Sequence, residues 1–319
     1  MIRFEKLGVV LRPENELNAK FNSGACLRNG VVHLLYRYAE IARPTGGGPG
    51  VSYVKNYIAH ARMTPEGKLL LDDPSPVFER TTPYEAKGLE DPRIFTLDGR
   101  TLITYTAWDG GQARVAFAEA NADFTAFRKL GVVPARRFDK DAFLFPERIG
   151  GKIAYVHRFE PNIQIDYFNG FEDLFDDGFW KNYTPDERGS VVLKGEQPWE
   201  EGKMGGSLPP IRTPDGWLFI YHSVAFDRRP FCYRAGIVLL DLNDPHKILA
   251  RLPYPVLEPT EDYETTGDVN NVVFPCGGYE HDGYLYLVYG GADKVTALAR
   301  CPMEEILSEL KKYPRTIGE

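Results

Sequence analysis

The chain has 319 residues, 43% of them hydrophobic and 26% charged, with a formal net charge of −7. That length and apolar share support a sizeable core and exclude wholesale disorder. The acidic balance argues against nucleic acid or an anionic membrane as partner, and no run approaches the roughly 18 apolar residues of a membrane-spanning helix. The N-terminal residues Met1-Ile2-Arg3-Phe4-Glu5-Lys6 contain no apolar stretch, so no secretory signal is read there. Cys26, Cys232, Cys276 and Cys301 show no C-x-x-C spacing, which fits a reducing cytoplasm and gives neither a zinc site nor a disulfide framework. Aromatic residues at 13%, with 31 Gly and 24 Pro spread along the chain, point to short strands joined by many turns.

In chain order, one pattern recurs five times: a turn ending in Gly, an apolar strand, and a Tyr or His six residues after the Gly. The copies are Gly30–Tyr36, Gly99–Tyr105, Gly151–His157, Gly216–His222 and Gly283–Tyr289. The turn dipeptides Asn29-Gly30, Asp98-Gly99, Gly150-Gly151, Asp215-Gly216 and Asp282-Gly283 suit tight hairpins, where the backbone needs positive φ. Near-continuous apolar strands demand burial on both faces, and radially packed four-stranded sheets provide it. The expectation is therefore an all-β, five-bladed β-propeller filling residues 1–319 as a single domain, with a β-sandwich as the alternative. A short C-terminal helix is expected over Met303–Lys312, where Met303, Ile306, Leu307 and Leu310 keep helical spacing after Pro302. Thr45–Gly50 reads as a flexible loop over a site.

The strand ends carry Tyr36-Arg37, Tyr105-Thr106, His157-Arg158, Tyr221-His222-Ser223 and Tyr289, and they are read as strands entering a wet central pocket. Three further groups bear chemistry. In Glu90-Asp91-Pro92-Arg93, Pro92 holds the residue before it extended and aims Asp91; an ordinary Asp-Pro turn is the plainer reading. Lys140 and Arg158 around the third repeat strand, with Lys203 and His222 around the fourth, would make a local anion site between adjacent blades of an acidic protein, although most lysines are simply solvated. Asn270-Asn271 and Asp293, with Asn22-Ser23 near the first repeat, have the amides, carboxylates and ring neighbours that sugar recognition uses; turn chemistry is the alternative. No P-loop, dinucleotide fingerprint, zinc motif or serine-hydrolase elbow is present.

In this order and coverage, Phe21-Asn22-Ser23, Leu35-Tyr36-Arg37, Glu90-Asp91-Pro92-Arg93-Ile94, Lys140–Glu147, His157-Arg158, Asp215–His222, Leu239–Pro245, Asn271–Pro275 and Tyr289–Asp293 resemble glycoside hydrolase family 130, the mannoside phosphorylases and mannosidases. The resemblance implies a five-bladed propeller and an inverting cleavage of a β-mannoside by inorganic phosphate, giving α-mannose 1-phosphate. Asp91 matches the family's catalytic acid, and Lys140, Arg158 and Lys203, with His222 nearby, match its phosphate-holding set. Asn22, Ser23, Arg37, Lys55, Arg93, Asp141, Asn271, Tyr289 and Asp293 are expected to position the sugar. For Arg37 and Asp293 a structural ion pair between blades is the competing role. Phosphate is a co-substrate, and neither metal nor organic cofactor is expected. The expected partners are an oligosaccharide and phosphate, with no nucleic acid and no membrane; a homo-oligomer is compatible with the sequence. A β-mannosidase that uses water and a non-catalytic glycan-binding propeller are the rival functions, and the linkage, β-1,2 or β-1,4, is not legible.

Overall fold

The computed structural model describes residues 1–42, 53–225 and 231–315. The loop expected over Thr45–Gly50 lies outside the described residues. The chain builds five antiparallel sheets. The first holds β2 (Asn18–Arg28), β3 (Val31–Ile41), β4 (Tyr53–Met63) and β5 (Leu69–Asp73). The second holds β6 (Gly88–Leu97), β7 (Arg100–Trp108), β8 (Ala113–Ala120) and β9 (Phe127–Val132). The third holds β10 (Lys140–Leu144), β11 (Ile153–Arg158), β12 (Ile163–Phe168) and β13 (Val191–Leu193). The fourth runs β14 (Lys203–Gly206), β16 (Gly216–Ala225), β17 (Cys232–Leu240) and β18 (Ile248–Arg251), with β15 (Ile211–Thr213) also on β16. The fifth runs β19 (Val273–His281), β20 (Tyr284–Gly291) and β21 (Val295–Pro302), and the N-terminal strand β1 (Glu5–Leu11) completes it as its outermost strand.

Neighbouring blades touch in cyclic order, four of the five contacts being made between first strands. β2 meets β6, β6 meets β10, β10 meets β14, and β19 meets both β16 and β2. This is a five-bladed propeller, closed by a blade made from both ends of the chain.

Apolar clusters lie between neighbouring blades and explain the repeat strands. Along β3, Leu34 and Tyr36 pack with Val288 and Leu298 of the fifth blade, whereas Leu35 packs with Ile103 of the second. A strand buried on both faces has no polar alternation to show. Asn29-Gly30, Asp98-Gly99, Gly150-Gly151 and Asp282-Gly283 have both residues at positive φ, as the tight hairpin requires. The C-terminal helix covers Met303–Leu310, two residues shorter than expected, and buries Ile306 and Leu310 in the cluster between the fourth and fifth blades. No helix among the described residues is long and apolar enough to cross a membrane.

The repeat strands are the second strands of their blades, and their polar aromatics do not enter the centre. Tyr36 donates to Asp72 (2.7 Å), Tyr105 to Glu85 (2.8 Å), Tyr221 to Glu200 (2.5 Å) and Tyr289 to Glu264 (2.8 Å). Each of these acids is also paired with a cation: Lys20, Lys129, Arg251 and Lys6. His157 sits buried between Asp139 (3.3 Å) and Asp166 (3.0 Å). A buried hydroxyl or carboxylate needs such partners, so these residues lock the blades.

One half-buried pair makes the fold acid-sensitive. His33 on β3 and His60 on β4 share a 3.1 Å Nδ1–Nε2 contact, and His33 stacks on Phe124 of the second blade with ring centroids 4.5 Å apart. Burial, then the neighbouring His33 and Arg62, pushes His60 down to about 4, and burial with Arg62 lowers His33. Both rings are therefore neutral in the fold, while in the unfolded chain they take up protons near pH 6.5. Their contribution is intact above about pH 6.5 and erodes as pH falls towards 4, by about 1–2 kcal/mol after solvent screening. Urea midpoints measured from pH 7 to 4.5 should fall less steeply for the double variant His33→Gln, His60→Gln; an unchanged slope contradicts this role.

Candidate active site

Three inner strands carry the same device. From Phe21 to Gly24 on β2, from Glu90 to Arg93 on β6 and from Lys140 to Phe143 on β10, the inner strand has one more residue than its neighbour. Each extra residue forms a bulge, and the residues bent into left-handed backbone there are Asn22 (φ 51°), Asp91 (φ 51°) and Asp141 (φ 54°). Asn and Asp tolerate that conformation better than other side-chain-bearing residues, and a bulge re-aims a side chain that would otherwise lie in the sheet. Two glycines leave the room: a Cβ at Gly290 would fall 2.0 Å from Asn22 Oδ1, and one at Gly205 would fall 2.5 Å from Asp141 Oδ2.

These residues meet at a cavity of about 130 Å³ lined by Asn22, Arg37, Asp91, Lys140, Asp141, Arg158, Lys203, Tyr233, Val272, Phe274 and Asp293. Asp91 is only 5% exposed. Its Oδ1 accepts from Asn22 Nδ2 (2.8 Å) and Arg37 Nη1 (3.3 Å). Among the described residues no hydrogen-bond partner reaches Oδ2. Beside it, Glu90 accepts from Asn56 Nδ2 (2.7 Å), Arg37 Nη2 (3.0 Å) and Lys140 Nζ (2.9 Å). Burial alone would raise Glu90, but Arg37 and Lys140 outweigh it and hold the carboxyl at about 2. Glu90 thus ties Arg37, beside Asp91, to Lys140 on the cationic side of the cavity. Arg37 is itself clamped between the rings of Phe21 (4.8 Å) and Tyr53 (5.0 Å).

The cationic side rests on Asp141, which pairs with Arg158 Nη1 (2.7 Å), Arg93 Nη2 (2.9 Å) and His222 Nε2 (3.3 Å). Burial opposes its charge, yet Arg158, His222 and Arg93 hold it well below the usual carboxylate range. Lys140 is raised, because Glu90 and Asp91 outweigh its burial. Lys203 is lowered, by burial first and then by repulsion from Arg158. Three positive groups, from β10, β11 and β14, therefore face one space and raise each other's energy there, which a bound anion relieves. Across the cavity, burial with added repulsion from Asp91 lifts Asp293 to about 7, against the pull of Arg37.

Several expected site residues sit elsewhere. Lys55 is 59% exposed and paired with Glu40 (2.7 Å) on the surface, because its strand turns that side chain away from the centre. Tyr289 belongs to the Glu264 lock and also meets Tyr263 (3.2 Å). Ser23 lies beneath the floor against Thr296 (2.8 Å). Arg93 is a buried bolt that donates to the carbonyls of Ser207 and Gly206 (both 3.0 Å) and pairs with Asp141. His222, lowered chiefly by burial, stands behind Asp141 and reaches Ser207 Oγ (3.3 Å), so it supports the cations without lining the cavity. Asn271 is in left-handed backbone (φ 59°) and its carbonyl accepts from the Tyr233 N–H (3.0 Å); the lining is made by its neighbour Val272. The ion pair between blades considered for Arg37 exists, with Glu90 and Asp91 as partners, while Asp293 faces the cavity. Sequence reasoning missed the bridging role of Glu90 and the lining by Tyr233 and Phe274. Direct adjacency to Asp91 was the available signal for Glu90; Tyr233 had none.

The central cavity of this propeller thus sets the Asp91 carboxyl, with Asn22, Arg37 and Asp293, against the cations Lys140, Arg158 and Lys203. The profile of glycoside hydrolase family 130, described as β-1,4-mannooligosaccharide phosphorylase, matches residues 9–312. The chain belongs to that family. It is 37% identical over 317 residues to a 1,2-β-oligomannan phosphorylase of Thermoanaerobacter sp. (strain X514), covering 96% of this chain and 99% of that one. It is 32% identical to a β-1,2-mannobiose phosphorylase of the same strain, covering 94% and 95%. Among solved structures, a β-1,2-mannobiose phosphorylase from Listeria innocua in complex with β-1,2-mannobiose superposes with a TM-score of 0.80 at 26% identity, over 98% of this chain and 100% of that one.

Proposed function

We propose that this chain is an inverting phosphorylase that cleaves β-mannosides with inorganic phosphate, and that its linkage is β-1,2. The observation that carries the reading is the convergence of Lys140, Arg158 and Lys203 on the cavity that Asp91 lines. An inverting hydrolase needs a base to activate water on the face opposite its acid. Dianionic phosphate is already a nucleophile, so a cradle that holds it in line with the anomeric carbon replaces that base. The linkage follows the relatives named above, whose names specify β-1,2 bonds.

In this account Asn22, Arg37, Asp141 and Asp293 hold the mannose unit. Arg158 and the two lysines hold phosphate, one of whose oxygens attacks C1 as the C1–O bond to the leaving sugar breaks. Asp91 supplies the proton that the leaving oxygen takes up, directly or through the sugar's 3-hydroxyl. Inversion yields α-mannose 1-phosphate and a shortened sugar. The reading takes residues 1–319 as one catalytic domain. With Cys26, Cys276 and Cys301 present as thiols, it assigns that domain to the cytoplasm.

The test incubates the protein with β-1,2- and β-1,4-linked mannobiose, each with and without phosphate. Mannose 1-phosphate from the β-1,2 substrate, formed only with phosphate, is expected. Equal release of free mannose without phosphate overturns phosphorolysis, and preference for the β-1,4 substrate overturns the linkage.

A further inference from the structure

The negative groups around the three cations are not equivalent. Glu90 is buried and engaged from three sides by Arg37, Asn56 and Lys140. Asp141 is buried and engaged by Arg93, Arg158 and His222. Neither can leave without stranding a buried charge, which is strongly unfavourable. Glu160 differs: its side chain is 45% exposed, and one oxygen, Oε1, lies 3.2 Å from Arg158 Nη2 and 3.4 Å from Lys203 Nζ. A single oxygen bridging an arginine and a lysine at the cavity lining is the contact that a phosphate oxygen would make. The backbone next to it is tied to the same cations: the carbonyl of Pro161 accepts from the N–H of Met204 (2.9 Å), the residue after Lys203.

We propose that Glu160 is a built-in counter-ion of the phosphate cradle, which incoming phosphate displaces into solvent. The inference rests on the phosphorolytic reading and adds a residue that sets anion affinity and selectivity. A tethered carboxylate competes at a high effective concentration, so the apparent affinity for any anion is lowered by the fraction of time that Glu160 occupies the cations. A dianion with several acceptor oxygens reaches all three cations and wins that competition, whereas a carboxylate ion offers no more than Glu160 already does. On turnover, return of Glu160 to Arg158 and Lys203 favours departure of the sugar phosphate. Half-exposed ion pairs of this kind are modest in strength, which suits a group that must let go on every cycle.

The test is Glu160→Gln, which keeps the shape and removes the charge. Calorimetric titration with inorganic phosphate, and the KM for phosphate in mannobiose cleavage, should both show binding about three- to tenfold tighter, with the KM for mannobiose within about twofold of the parent. Sulfate and acetate are titrated alongside as a dianion and a carboxylate ion. Acetate, excluded from the parent, should become a measurable competitor in the variant. If Glu160 merely braces Arg158 and Lys203, its removal weakens phosphate binding, the opposite sign. Weaker or unchanged phosphate binding by a folded Glu160→Gln, in a parent that uses phosphate, overturns this proposal alone. A parent that neither binds nor consumes phosphate overturns the phosphorolytic reading with it.

Discussion

Asp91→Asn lowers kcat for phosphorolysis by about a thousandfold while leaving the affinity for mannobiose within a few-fold of the parent. The substitution isolates the proton. Asn tolerates the left-handed backbone that Asp91 adopts at φ 51°, so the bulge survives, whereas Ala at this position adds strain. Its amide oxygen can still accept from Asn22 Nδ2 and Arg37 Nη1, the two donors that hold Oδ1. What disappears is a carboxyl able to give a proton to the departing oxygen, and general acid catalysis is typically worth about 10²–10⁴ in rate. Single-turnover rates and equilibrium binding of mannobiose to the variant separate the two effects. Unchanged turnover removes Asp91 from the chemistry.

Arg158→Lys raises the KM for phosphate roughly 10- to 100-fold and changes that for mannobiose little. Lysine is the informative replacement. Arg158 is buried and is the nearest of three partners of the buried Asp141, at 2.7 Å, so Arg158→Ala would weaken the pairing of a buried carboxylate and confuse folding with binding. Lysine preserves the charge opposite Asp141 but loses the planar fork that spans two phosphate oxygens. Initial rates over a grid of phosphate and mannobiose concentrations give both constants. Equal shifts in the two make Arg158 a general structural residue and not a phosphate ligand.

The fold was legible because the tight hairpins write themselves into sequence. Asn29-Gly30, Asp98-Gly99, Gly150-Gly151 and Asp282-Gly283 occupy positive-φ turns that few other dipeptides accept, and each precedes a strand buried on both faces. The same signal misled about depth. It marks the second strand of every blade, so Tyr36, Tyr105, Tyr221 and Tyr289, which looked like pocket residues, are hydroxyl partners of cation-paired acids. The inner strands that bear Asn22, Asp91 and Asp141 are interrupted by bulges, and a bulge breaks the alternation by which a strand is recognised. Resemblance to the family led to the residues that sequence patterning alone left as plain turns. It could not separate those lining the cavity, such as Lys203 and Arg158, from those one layer behind, such as Arg93 and His222, because that distinction arises from packing between blades. Lys55 shows the limit at its plainest: a lysine near the site in sequence, on a strand of the first blade, with its ammonium on Glu40 at the surface.

The most direct test of a cationic cradle working against a single acid follows one incubation by phosphorus and proton NMR: the protein, β-1,2-mannobiose and inorganic phosphate, sampled from the first minutes. The account predicts that the phosphate signal declines in step with the growth of a mannose 1-phosphate resonance whose anomeric proton is α from the earliest time point, with one free mannose formed per phosphate consumed. Release of two free mannoses with the phosphate signal undiminished, or a β-configured phosphate ester, contradicts it.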